Sequence, residues 1–145
     1  MIEFCEWRDE YLTGDALIDG EHQRICEMAC LFGRQVEAGT ITYREAISVV
    51  REVMRHIVSH FIHEEILLTI YGISEQDIIK HKREHQRLRI LFTAAADEIR
   101  DQRSDTFQQA CLNLLNYLHM LITQHIQEED VQLLKHVRES NVVLC

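Results

Sequence analysis

The chain contains no proline, and only five of its 145 residues are glycine. So little of both excludes collagen-like repeats and argues against a loop-rich or disordered chain. No run of 18 apolar residues exists, so nothing in it reads as a membrane span. The first residues, Met1 to Trp7, lack the basic start and apolar stretch of a signal peptide, and a cytoplasmic protein is expected. Basic residues are outnumbered, 15 against 24 acidic ones, for a formal charge of −9. Such a surface repels phosphate backbones, which disfavours nucleic acid as a partner. No Cys-x-x-Cys pair occurs among Cys5, Cys26, Cys30, Cys111 and Cys145. These cysteines are expected to be reduced thiols behaving as small hydrophobes.

What is present is helical. Hydrophobic residues make up 46% of a chain long enough for one domain with a real core. After an extended arm carrying Trp7, Tyr11 and Leu12, helix A is predicted from near Asp19 to Ala38, with Ile18, His22, Ile25, Ala29, Phe32 and Val36 on one face. Gly39 follows where a C-cap belongs. Thr42, with Glu45 three residues on, opens helix B as a capping box. Its inner positions step through Ile47, Val50, Met54 or Val53, Ile57, His60, Glu64 and Leu67 towards Tyr71 and Gly72. Ser74 opens helix C, whose face reads Ile78, His81, His85, Leu88, Phe92, Ala95 and Ile99 before Asp101. Ser104 or Asp105 opens helix D, with Phe107, Cys111, Leu114, Leu118, Leu121 and His125 inward, running through Leu134 to Arg138. Four long helices with short connections predict an all-α, antiparallel up-down-up-down four-helix bundle. Residues 1–138 form the predicted domain, and 139–145 a tail or the start of a linker.

Nine histidines are an excess, and five of them, His22, His60, His81, His85 and His125, fall on inward stripes of four different helices together with Glu64. One inward histidine is ordinarily a hydrogen-bonded core residue. Five imidazoles and a carboxylate buried without partners would cost about 1–3 kcal/mol per group. A domain with about 5–15 kcal/mol of net stability does not carry that load. A metal centre satisfies all of them together. His60 and Glu64 are four residues apart, as are His81 and His85, so each pair shares a helical face and reaches one ion. His22 and His125 approach from the remaining sides. Six or seven donors are too many for one tetrahedral zinc and suit two five- or six-coordinate irons bridged by carboxylates.

These residues carry a resemblance. Trp7, Tyr11, Gly14, Ile18-Asp19-Gly20-Glu21-His22, His60-Phe61-Ile62-His63-Glu64-Glu65, Tyr71-Gly72, His81-Lys82-Arg83-Glu84-His85 and His125-Ile126-Gln127-Glu128-Glu129-Asp130 together make the chain similar to the bacterial hemerythrins over residues 7–130. The order H…HxxxE…HxxxH…HxxxxD is specific, and all seven positions that ligate iron in that family are filled. The resemblance implies that His81, His85 and His125 bind one iron and that His22 and His60 bind the other. Glu64 and Asp130 would bridge, beside an oxo or hydroxo group, and O2 would bind end-on and reversibly at the open position of the two-histidine iron. Helical geometry alone selects Glu129, four residues after His125. Asp130 lies five away and roughly 140° around an ideal helix, so its use implies a local distortion.

Two departures from the family stand out. The usual Gly-Tyr-Pro turn reads Gly72-Ile73-Ser74, and Leu121 stands where a tryptophan is usual, which bears on the shape of the pocket. Leu121, Ile122 and Ile126 are the residues expected to line an apolar O2 pocket that keeps water out. His56, His63, His119 and His136 are expected outside the ligand set, His63 most simply as a partly solvated surface residue, though a gating or outer hydrogen-bonding role is open to it. Glu128-Glu129 reads as a solvated acidic face with a second possibility of orienting His125. The resemblance implies an O2 carrier or store, or an O2 or redox sensor attached to a C-terminal signalling output domain such as a cyclic-di-GMP enzyme. An enzyme acting on peroxide or nitric oxide fits less well, because no Glu-x-x-His motif occurs. The zinc-protease motif fails too, Leu67 standing where its second histidine belongs.

Overall fold

Helices form where the stripes predict them, and local capping chemistry sets their ends. The computed structural model describes residues 7–101 and 107–134. Helix α1 spans Ala16–Glu37, three residues earlier at its start than predicted. Asp15 is the cap, accepting from the backbone amides of Leu17 and Ile18 at 3.1 Å each. Asp19 sits a turn inside and ties down the arm instead. It accepts from the Thr13 amide and hydroxyl at 2.7 Å and from the Gly14 amide at 3.1 Å. Either carboxylate suits a helix start; only the one facing the free amides caps it.

Helix α2 spans Tyr43–Ile70 and opens on the predicted capping box, both bonds between Thr42 and Glu45 being 3.1 Å. It ends at Gly72, whose φ of +74° lets the chain turn without a Cβ penalty. Helix α3 spans Glu75–Arg100, with the Ser74 hydroxyl accepting from the Asp77 amide at 3.1 Å. Glycine and a serine cap thus make the turn without proline. Helix α4 spans Phe107–Met120 and continues as a π-helical stretch over Leu121–Asp130, then as α-helix over residues 131–134. The predicted opening at Ser104 or Asp105, the extension to Arg138, His136, Cys5, Cys145 and the 139–145 tail all lie outside the described residues.

Each helix packs against its neighbours in sequence, and α1 closes onto α4. Ile18 from the start of α1, Leu68 from the end of α2 and Leu134 after the π-stretch form one small apolar cluster, against which Ile78 from the start of α3 packs. Starts and ends alternate at that pole, which makes the bundle antiparallel, up-down-up-down. The larger apolar core, from Ile25 to Ile126 in sequence, fills the rest. Trp7 lays the arm against it and meets Tyr11 edge-on, with ring centroids 5.6 Å apart.

The inner stripes hold for α1 and α3, apart from a half-buried Ile78, and shift in α2. Ile47, Met54 and Leu67 are only half-buried, while Ala46, Val53, Phe61 and Leu68 are buried. The sequence places the seam of this 28-residue helix one position off at both ends. An α-helix drifts about 20° per heptad against a strict three-four stripe, so long helices rotate their inner face. Cys26 and Cys111 are buried free thiols; burial pushes their pKa up, to about 12 and about 11, and they serve as small apolar groups. Among the described residues, no helix is long and apolar enough to cross a membrane.

Candidate metal centre

Between the small apolar cluster and the main core, all four helices contribute side chains to one buried polar cluster. His22 comes from α1, His60 and Glu64 from α2, His81 and His85 from α3, and His125 and Asp130 from the π-stretch. None of the seven is more than 5% exposed. The imidazoles turn their Nε2 atoms inward and the two carboxylates lie among them.

Each carboxylate divides its oxygens between two groups of histidines. Glu64 Oε1 faces His81, His85 at 3.2 Å and His125 at 3.8 Å, while Oε2 lies 3.1 Å from His60 and 3.7 Å from His22. Asp130 Oδ1 lies 3.1 Å from His81 and 3.3 Å from His125, while Oδ2 lies 3.1 Å from His22 and 3.8 Å from His60. Two sets of converging donor atoms result: Glu64, His81, His85, His125 and Asp130, and His22, His60, Glu64 and Asp130. They share both carboxylates and differ in holding three imidazoles or two.

The π-helical stretch decides which carboxylate enters. Its i→i+5 hydrogen bonding brings residue i+5 nearly over residue i, and such segments recur at functional sites. Asp130 is therefore carried inward beneath His125 and is fully buried. Glu129 is turned outward, with its side chain 45% exposed, and accepts from His125 Nδ1 at 3.1 Å.

Electrostatics within the cluster are strong. Burial disfavours the imidazolium, but hydrogen bonds to Asp130 and Glu64 carry the pKa of His81 up to about 9. His125 is likewise disfavoured by burial yet raised to about 10 by the charge of Asp130 and by bonds to Glu129 and Glu64. His60, against the same burial, is held well above its ordinary value by Asp130, Glu21 and Glu64. His85 moves the other way, because burial and the neighbouring His125 and His81 outweigh Glu64. Burial and mutual repulsion oppose ionisation of the two carboxylates, but the surrounding histidines hold both well below the usual range.

A cation fits this arrangement on two counts. Glu64 Oε2 and Asp130 Oδ1 are buried, each 3.1 Å from an imidazole nitrogen but without a well-directed hydrogen bond, so lone-pair capacity is left that a cation would use. The Nε2 atoms of His22 and His60 are 3.0 Å apart, as are those of His85 and His125. Two nitrogens each about 2.1 Å from one ion and at right angles to each other are about 3.0 Å apart. Imidazole nitrogen and carboxylate oxygen donors together suit a first-row transition metal.

Around the cluster, two residues that the sequence motifs contain, but to which the sequence assigns no role, pack on the inward histidines. Phe61 stacks on His85, with centroids 3.9 Å apart and planes within 7°, and meets His125 edge-on at 5.7 Å. Glu21 bonds His60 Nδ1 and His63 Nδ1. Their only signal was adjacency, Phe61 after His60 and Glu21 before His22. His63 is 40% exposed but paired with Glu21, so it is more than a solvated surface residue. His56 pairs with Glu52 on the outer face of α2, and His119 is exposed on α4. Leu121, Ile122 and Ile126 have no exposed surface and belong to the main core, on the same π-stretch as His125.

The family model of the hemerythrin HHE cation-binding domain matches residues 13–137. A bacteriohemerythrin of Pseudomonas paraeruginosa strain PA7 is 28% identical over 134 residues, covering 92% of this chain and 82% of that protein. A bacteriohemerythrin of Pseudomonas aeruginosa strain PAO1 is 28% identical over 135 residues with the same coverage.

Proposed function

The chain belongs to the hemerythrin family, and from that premise we propose that it binds O2 reversibly at a non-heme diiron centre. It would act in the cytoplasm as an O2 carrier or as an O2 or redox sensor. The observation that carries this reading is the division of both carboxylates between a three-histidine and a two-histidine set. His81, His85 and His125 would hold one iron, His22 and His60 the other, with Glu64 and Asp130 bridging. When bound as ferrous ions, the pair supplies the two electrons that reversible O2 uptake draws on.

The protein's own groups do the rest. Three imidazoles and two shared carboxylates crowd one half of the cluster; the other half is one imidazole short, which leaves room for a diatomic ligand. Leu121, Ile122 and Ile126 would wall that space with apolar surface and exclude water. Phe61, stacked on His85, fixes the plane of that ring. Outer carboxylates, Glu129 on His125 and Glu21 on His60, accept the Nδ1 protons and leave the Nε2 lone pairs free for the metals. A histidine-rich set with no Glu-x-x-His motif favours binding over oxidation of a substrate.

Metal analysis of the protein expressed with ample iron is expected to find two irons per chain. The reduced protein should develop a visible charge-transfer band on exposure to O2. One zinc and no iron would overturn the reading. His81→Ala should lose iron where His136→Ala keeps it. Slow autoxidation of the O2-loaded protein marks a carrier, and rapid conversion to the oxidised form marks a redox sensor.

A further inference from the structure

Helix α1 gives the cluster more than His22. Its Glu21 reaches α2 and splits its carboxylate, Oε1 lying 3.4 Å from His60 Nδ1 and Oε2 2.7 Å from His63 Nδ1. A neutral imidazole has one N–H and one lone pair, so the group that accepts the N–H decides which nitrogen is free to donate. His60 is fully buried and turns Nε2 into the cluster, and Glu21 accepts from its other nitrogen. The partner histidine of that half, His22, has no acceptor at Nδ1 among the described residues. Among the described residues, orientation from outside therefore reaches the two-histidine half through Glu21 alone. Glu21 is itself steadied from solvent: His63 holds its second oxygen and keeps the carboxylate from swinging away from His60. At 18% exposure it is far less solvated than Glu129, its counterpart on the three-histidine half at 45%.

The geometry points to Glu21 as the positioning residue of the two-histidine half, with His63 as an outer clamp on its carboxylate. This rests on the diiron reading above. A carboxylate on Nδ1 fixes the tautomer of His60 and makes Nε2 a stronger donor. It favours retention of the metal in that half and, by donating more strongly to the higher charge, favours the oxidised state.

The test uses the full chain loaded with ferrous ion without O2, in the parent, Glu21→Ala, Glu21→Gln, His63→Ala and, as a control, His56→Ala. Two quantities are read: ions retained per chain against a competing chelator, and the midpoint potential. The parent and His56→Ala should hold two ions. Glu21→Ala should keep one and release the other about 10- to 100-fold more readily. The Gln amide oxygen still accepts the Nδ1 proton but carries no charge, so Glu21→Gln should keep both ions and shift the potential upward. His63→Ala should show a smaller loss than Glu21→Ala. Urea unfolding of the metal-free chains should give one cooperative transition for both the parent and Glu21→Gln, with the variant's midpoint the lower because its amide no longer pairs with the imidazolium of His60. Equal release from the parent and Glu21→Ala, with an unmoved potential in Glu21→Gln, would overturn this inference while leaving the diiron reading intact. A parent that holds fewer than two ions would overturn both.

Discussion

Loading the cluster with metal should expel protons in a number that the geometry sets. Three histidines have raised pKa values in the metal-free chain: His60, His81 at about 9 and His125 at about 10. At pH 7 the last two are each about 99% protonated or more, and the shift of His60 runs in the same direction. His81 and His125 must each surrender a proton before Nε2 can bind a cation, which predicts a release of about two protons from this pair as the site fills at pH 7. Raising the pH to 9.5 leaves His81 about one-quarter and His125 about three-quarters protonated, so this pair then releases about one proton rather than two. The perturbation is a titration of metal-free protein with Zn(II), followed by calorimetry in pairs of buffers with different ionisation enthalpies. The informative quantity is the fall between the two pH values, about one proton from His81 and His125 together. A release that stays constant from pH 7 to pH 9.5 refutes the reasoning, because the histidines would then be neutral despite their carboxylate neighbours.

The same shifts predict how the metal-free protein responds to pH. Raised histidines contribute stability that is complete below about pH 6.5 and is lost as pH climbs through about 9 to 10, while the depressed carboxylates lose theirs only in acid. Urea unfolding without metal should therefore find the chain more stable at pH 6 than at pH 9.5; the reverse order sinks the assignment. Asp130→Asn should leave fewer than two ions per chain by metal analysis, whereas Glu129→Gln should keep both with affinity reduced by about tenfold. Equal losses in the two variants would mean that the π-stretch does not select between them. Phe61→Ala should cost about 3–5 kcal/mol in denaturant unfolding of the metal-free protein, since a fully packed ring is removed. A cost below about 1 kcal/mol would show that the ring is not packed as described.

Most of the bundle was legible without coordinates because its signals are local. The capping box at Thr42 and Glu45, the glycine at 72 and the serine cap at 74 act within one turn, and they lie where the sequence places them. Where two local signals competed, the sequence misled: both Asp15 and Asp19 suit a helix start, and only the direction of Asp19 towards Thr13 and Gly14 separates them. In α2, the seam at Leu67 rather than Leu68 follows a short repeat, but burial answers to how a long helix rotates against three neighbours.

The histidine excess and the helical spacings by themselves determined an all-α bundle with a polar, metal-seeking centre. Periodicity along one helix records which residues share its face, and His60 with Glu64, or His81 with His85, needs nothing more. Tertiary structure alone decided how the carboxylate oxygens divide between histidine sets from different helices, and that Glu21 on α1 meets His60 and His63 on α2. It also decided that Asp130 rather than Glu129 faces the buried cluster, through a π-helical stretch that no side-chain periodicity announces. Those are relations across helices or departures from ideal winding. They depend on how four faces meet, which a one-dimensional pattern does not contain.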